Sequence, residues 1–328
     1  MNSRHALLAA KLIFTAGLLW YVASKFDLQE ALAQLRNMDA GWMLLLLGIF
    51  YVQLGLGALR FREFLRVLGT ELDVARAIDA SLIGYFFSQT FISFVGGDAM
   101  RVLRASQSGI SLQIAAKAVI LDRASGFAGM MVLILAVLPF TLPRIIDPAM
   151  KLSLLLMIAV AVAGAIAVLL AARLPQAFRR FRLFDAVADV ASRVLRRITS
   201  PRGFAAFFGY SVAINFLNIV LFFLIGTALG IFLDFRDCLI LLPPVFFVAM
   251  LPISVSGWGI REGVAILALG LAGVPAAQAL AISVGYGLGL ILISLPGGIL
   301  WLFVRKKRNP TEESRDAEDQ VQRPDRHA

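Results

Sequence analysis

The sequence holds one cysteine, Cys238, and two histidines, His5 and His327, both near the chain ends. A single cysteine excludes an intrachain disulfide and a cysteine-based metal cluster. Histidines so placed leave no zinc site and no buried histidine base. Charge is scarce as well, at 16% of 328 residues against 59% hydrophobic, where soluble domains carry about a quarter charged residues. No GxxxxGK[ST] loop occurs, so pumping by ATP is not supported. No nucleophile–base constellation is visible, and no polar stretch is large enough to fold as a separate catalytic core. These gaps argue against an enzyme, and no cofactor or metal is expected.

What remains is apolar sequence in long runs. They fall at 6–24, 41–59, 80–96, 113–139, 150–172, 205–230, 238–255 and 277–304, and several exceed the ~18 residues that cross a bilayer. The chain therefore reads as an all-α polytopic membrane protein. Residues 6–24, with Arg4 ahead, are expected to stay as a first helix, because Lys11 interrupts the run and no A-x-A site follows. A cleaved signal peptide is the alternative.

The net charge of +10 is not spread as a nucleic-acid face requires. Basic residues collect at 60–76, at 173–202 with eight arginines, and at 305–326, whereas Arg236 and Arg261 stand alone between 204 and 304. Such blocks mark cytoplasmic segments and suit anionic headgroups. Within 177–198, Phe178, Phe181, Phe184, Val187, Ala191, Val194 and Ile198 recur at helical steps between arginines. That pattern fits an interfacial amphipathic helix or, equally, a connector packed on the bundle. The tail 305–328 is polar and expected to be disordered.

If all eight runs crossed, the eight arginines of 173–202 would lie outside, against the charge rule. The simplest repair makes two runs re-entrant. The first would enter from the cytoplasm, turn near Gly96-Gly97 and return, leaving Ala105 cytoplasmic. The second, 238–273, would enter from outside and break at SGWG, with Pro243-Pro244 and Pro252 interrupting its first arm and Gly273 facing outward. The expectation is about six full crossings plus two opposed helical hairpins, with both termini cytoplasmic. Eight plain helices are the alternative. One membrane domain would cover 1–304, in halves 1–172 and 203–304 joined by 173–202.

The two broken segments align with one gap: ISFVGGDAMR (92–101) and ISVSGWGIR (253–261). Opposed orientation and a shared motif suggest an inverted repeat, whose interrupted helices meet near the midplane in many transporters. Gly96, Gly97, Gly257 and Gly259 would permit tight turns and offer backbone N–H groups to an anion. Arg101 and Arg261 would supply planar, fixed positive charge suited to phosphate. Asp98 and Glu262 would orient those arginines or carry a coupling ion. Asp98–Arg101 and Arg261–Glu262 could equally neutralise one another as structural pegs. Asp122-Arg123, a further pair inside an apolar run, is read as a partner for the first hairpin or as a substrate contact, with Lys117 on the same face. Asn215 and Asn218 are read as helix–helix glue.

At GGDAMR, LDR and LPISVSGWGIREG the chain resembles the transmembrane domain of the lysylphosphatidylglycerol synthase/flippase family. The family elements fall on Gly96, Gly97, Asp98 and Arg101, then Asp122 and Arg123, then Pro252, Ser254, Gly257, Gly259, Arg261 and Glu262. Trp258 stands where relatives carry small residues. The resemblance implies lipid translocation or handling in a bacterial inner membrane, without the cytosolic domain that attaches the amino acid. The expected substrate is an anionic phospholipid or a polyprenyl-phosphate-linked lipid. Its phosphate would be held between the hairpins, with movement passive or ion-coupled. Candidate partners are membrane lipids and lipid-biosynthesis enzymes, with no nucleic acid. A membrane subunit of a lipid-modifying transferase and a non-transporting lipid-binding scaffold are the alternatives.

Overall fold

A computed structural model of the chain describes residues 38–90, 94–171, 192, 201–251, 253, 254 and 256–303. The expected first helix at 6–24, nearly all of the amphipathic segment 177–198, Pro252 and the tail 305–328 lie outside the described residues. Among those described, every regular element is helical.

Helix α1 (Ala40–Val67) starts at Asp39, whose carboxylate accepts from the Gly41 N–H at 2.7 Å and so satisfies one orphan donor of the first turn. Helices α2 (Val74–Thr90) and α3 (Phe94–Gln107) are short. Ser111 caps α4 (Leu112–Thr141), which runs into a 3₁₀ turn, Leu142–Arg144, before α5 (Pro148–Ala171). A helical turn, Pro201–Phe204, passes through a π turn, Ala205–Gly209, into α6 (Tyr210–Ala228). Asp234 caps α7 (Phe235–Met250), and α8 (Ile260–Gly270) and α9 (Ala276–Phe303) follow.

Four stretches are long and apolar enough to cross a bilayer: Ala40–Val67, Leu112–Arg144, Phe207–Ala228 and Ala276–Leu302, with Pro148–Gly164 a shorter apolar helix. Their outward residues suit lipid. Leu44, Val160 and Leu302 are more than 70% exposed, a burden that water would penalise and acyl chains would not.

Helices α2 and α3 pack antiparallel, as the order of their contacts shows. Gly97 lies on Ser88 and Gly84, Arg101 on Gly84, and Arg104 pairs with Asp79. Helix α8 packs on α7, as α3 packs on α2. Each pair also packs on a long helix of the other half, α2 against α9 and α7 against α4, and α1 meets α6. Exchanging α1–α4 for α6–α9 maps each of these contacts onto another: α1 with α2 onto α6 with α7, α3 with α4 onto α8 with α9, α1 with α4 onto α6 with α9. The central apolar core is aromatic. Phe222 sits between Phe246 and Tyr286, with ring centroids 5.0 and 5.2 Å away, and Phe50 stacks on Tyr286 at 5.4 Å. Small residues bring helices together elsewhere. A Cβ on Gly297 would stand 2.1 Å from the Leu82 carbonyl oxygen, so α9 touches the backbone of α2.

Two sequence expectations need correction. Gly96 and Gly97 are not a turn; both lie in α3, which runs from Phe94 to Gln107. Gly97 serves the α2–α3 contact instead, since a Cβ there would come within 2.4 Å of the Gly84 carbonyl oxygen. Pro243 and Pro244 do not interrupt the second arm, because α7 continues through both. Proline removes the N–H that residue i−4 would receive, and the Ile240 carbonyl so released accepts from Thr141 Oγ1 at 3.0 Å. A neighbouring helix therefore supplies the missing donor, which lets the helix survive in an apolar setting. Helix α1 extends to Val67, about 42 Å at 1.5 Å per residue, and carries Arg60 inward. Ala105, placed on the cytoplasmic side by the charge pattern, is fully buried, and the exposed end of α3 is Gln107.

Candidate functional site

The second break does fall at SGWG. Helix α7 ends at Met250 and α8 begins at Ile260; Ser256, Gly257 and Gly259 between them have φ of 51°, 78° and 82°. Such angles cost a side chain and suit glycine, so Ser256 is the strained member. Its hydroxyl donates to the Ser88 carbonyl at the end of α2, tying one broken segment to the other.

Between the segments lies a cavity of about 200 Å³, lined by charged and polar side chains among apolar ones. Asp98, Arg101, Asp122, Arg123 and Arg261 all line it, although they come from α3, α4 and α8. Glu262 does not line it but holds Arg261 from behind. Arg261 donates to Glu262 Oε1 from Nη2 at 2.6 Å and from Nε at 3.0 Å. Ser283 on α9 joins both partners at 3.1 Å, accepting from Arg261 Nε and donating to Glu262. The Arg261 guanidinium also lies 5.0 Å from the Trp258 ring and 5.2 Å from that of Tyr286, a cation–π setting that favours charge in a dry site. Trp258 thus packs against Arg261 and over Gly287 and is not among the lining residues.

Asp98 and Arg101 are not each other's main partners, being 3.9 Å apart. Arg123 holds Asp98 bidentately, Nε at 2.9 Å and Nη2 at 3.0 Å. Arg101 donates from Nη1 to Asp122 Oδ2 at 2.8 Å and lies 4.4 Å from the Phe61 ring. Hence the Asp122-Arg123 pair on α4 fixes α3 through two crossed ion pairs. A charged side chain at a helix centre costs about 2.5–3.5 kcal/mol on insertion, and pairing of this kind offsets it. Helix α3 completes its fastening at the far end, where Arg104 clasps Asp79 of α2.

The four motif glycines stay off the cavity wall. Gly259 N–H donates to Glu262 Oε2, a cap supplied by the helix itself. Gly257 approaches Ala249, where a Cβ would stand 3.2 Å from the carbonyl oxygen. Lys117 is likewise not among the lining residues. Asn215 and Asn218 do bridge helices: Asn215 Nδ2 donates to the Gly126 carbonyl at 3.0 Å, and Asn218 Oδ1 accepts from Tyr286 at 2.6 Å and from Gln53. Both also line the cavity.

Sequence reasoning missed Arg60, Gln53 and Tyr286. Arg60 Nε donates to Asp122 Oδ1 at 2.7 Å and Nη1 to Ser211 Oγ at 3.1 Å. The signal was present, because Gln53, Gly57 and Arg60 fall at i, i+4 and i+7 along an apolar helix and mark a wet face. By sequence alone Arg60 falls in the basic block 60–76 instead.

A helical bundle with an apolar exterior, holding charge-lined polar space between two interrupted segments, defines a multi-pass membrane protein built around an internal polar site. Residues 8–297 match the family described as the lysylphosphatidylglycerol synthase TM region, and the chain belongs to that family. A comparison with curated proteins finds no match.

Proposed function

We propose that the chain moves an anionic lipid between the leaflets of a bacterial inner membrane, with the headgroup entering the cavity and its phosphate held by Arg101 and Arg261. The observation that carries this reading is the convergence of these two arginines, one from each broken segment, on one polar space inside an apolar bundle. Guanidinium forks match phosphate oxygens bidentately, and both are held in place by carboxylates and aromatic rings rather than left mobile. Asp98, Asp122, Arg123 and Glu262 orient them; the glycines set the helix approaches on which that geometry depends. The lipid-synthase name of the family agrees with a phospholipid substrate.

The pairs α2–α3 and α7–α8 act as opposed re-entrant hairpins, and 1–304 is one membrane domain of two inverted halves, 1–172 and 203–304. The exchange symmetry of the helix contacts supports this, as does the charge parity that keeps both termini and the segment 173–202 cytoplasmic. Alternating access then amounts to one half rocking on the other around a fixed site. The chain moves lipid rather than transforming it.

The test uses purified chain in vesicles carrying a fluorescent anionic phospholipid, with a membrane-impermeant quencher reporting exchange between leaflets. Arg101→Ala and Arg261→Ala are expected to abolish exchange while the protein remains monodisperse. Undiminished exchange in both variants would remove the assigned site, and no exchange by the parent chain would favour a scaffold or transferase subunit.

A further inference from the structure

The stretch from Ser256 to Gly259, between α7 and α8, holds one residue in a conformation its side chain resists. Gly257 and Gly259 take positive φ freely. Ser256 takes it too, at 51°, alone among the described residues other than glycine. An L side chain in that region shifts the equilibrium against itself by ~5- to 30-fold, so another contact must hold it. The Ser256 hydroxyl donates to the Ser88 carbonyl. Ser88 lies in the last turn of α2, where a carbonyl has no partner within its own helix. An apolar bundle offers no solvent to such a group, and Ser256, from the other broken segment, supplies the donor.

The bond serves both sides, yet its worth is small. One neutral hydrogen bond shifts an equilibrium by ~2- to 12-fold net, the same order as the strain it opposes. Ser88 and Ser256 also both line the cavity, where water bonds to either group nearly as well as they bond to each other. Two arrangements of similar free energy, each with its polar groups satisfied, make a bistable element. The stretch is coupled to the site as well. The Gly257 carbonyl accepts from the Arg261 backbone N–H at 2.9 Å, so the turn that carries Arg261 begins where Ser256 is tied.

We propose that residues 256–259 form a latch between the two broken segments. Closed, with Ser256 on Ser88, it shuts one side of the cavity and fixes the first turn of α8. Open, Ser256 relaxes to negative φ, and the cavity admits polar solutes. For the lipid site proposed above, the latch governs entry of the headgroup; this role rests on that reading, whereas the latch itself rests on the backbone geometry alone.

Ser81 provides a reporter. It lines the cavity, is 1% exposed, and its hydroxyl has no partner, so Ser81→Cys breaks no hydrogen bond. The full chain carrying Ser81→Cys, in detergent, is labelled with an anionic methanethiosulfonate, which the lining arginines attract. The same chain without that substitution gives the background from buried Cys238. Labelling rate then follows the open fraction. Ser256→Ala loses the bond and keeps the strain, and should label ~2- to 12-fold faster than the parent. Ser256→Gly loses both, and should label at least ~3-fold more slowly than Ser256→Ala. A side chain that only filled space would give the opposite order, since glycine leaves the larger gap. Ser256→Asn tolerates positive φ and carries a donor, so it should label more slowly than Ser256→Gly; that comparison decides the matter where Ser256→Ala does not fold. Equal rates across the variants, or Ser256→Gly faster than Ser256→Ala, overturn the latch. The expected order together with lipid exchange untouched by Arg101→Ala and Arg261→Ala keeps the latch and removes the lipid reading. Exchange abolished by those arginine variants without the expected order keeps the lipid site and removes the latch.

Discussion

Asp122 is the most demanding position in the bundle, because one buried carboxylate accepts from two buried guanidiniums. Asp122→Asn keeps the volume and removes the charge, leaving Arg60 and Arg101 facing each other uncompensated. Breaking a buried pair by removing one partner costs about 3–5 kcal/mol. The Arg60 side chain is 11% exposed and that of Arg101 10%, so water relieves little of it and the upper half of that range applies. Arg60→Gln alone also removes a partner, but leaves Asp122 bonded to Arg101 and should cost less. The double variant Arg60→Gln/Asp122→Asn restores the net charge of the parent cluster. It should recover about 0.5–3 kcal/mol relative to the sum of the singles, the coupling expected of residues in one network. Equilibrium unfolding in mixed micelles measures all four proteins. An Asp122→Asn variant as stable as the parent, or a coupling of zero, refutes the argument that this carboxylate compensates both arginines.

Other outcomes follow from single contacts. Gly97→Ala should destabilise by about 1–3 kcal/mol through overpacking, since its Cβ would meet Ser88 and the Gly84 backbone; unfolding in micelles checks it, and a neutral result would mean that α2 and α3 separate freely. Thr141→Val should cost about 1–3 kcal/mol by orphaning the Ile240 carbonyl, and adding Pro244→Ala should restore most of it by returning the helix's own N–H. For topology, cysteines at Gln107 and Pro275 should label from the cytoplasmic and outer faces respectively, with buried Cys238 silent. Labelling of both from one face would contradict opposed hairpins.

Much of the bundle was legible because membrane helices announce themselves through run length. The break at SGWG was visible through glycine, which alone tolerates the backbone angles found at 257 and 259. The same logic failed at Gly96-Gly97, because glycine also permits close helix contact, and a sequence does not distinguish the two uses. Pro243-Pro244 misled for a related reason: the rescuing hydroxyl of Thr141 lies 99 residues from the carbonyl it serves. Cavity-lining residues were legible where charge stood inside apolar sequence, as with Arg101, Asp122 and Arg261. Arg60 escaped because it sits at the edge of a basic segment, where charge is ordinary. Partner choice was out of reach as well; adjacency suggested Asp98–Arg101, whereas packing of α3 on α4 pairs Asp98 with Arg123.

The most direct measurement is an experimental structure of the chain with native lipid retained. The account expects phosphate density within hydrogen-bonding distance of both Arg101 and Arg261, inside the cavity between the two broken segments. Phosphate bound only at the bundle exterior, with that cavity holding water alone, would contradict it.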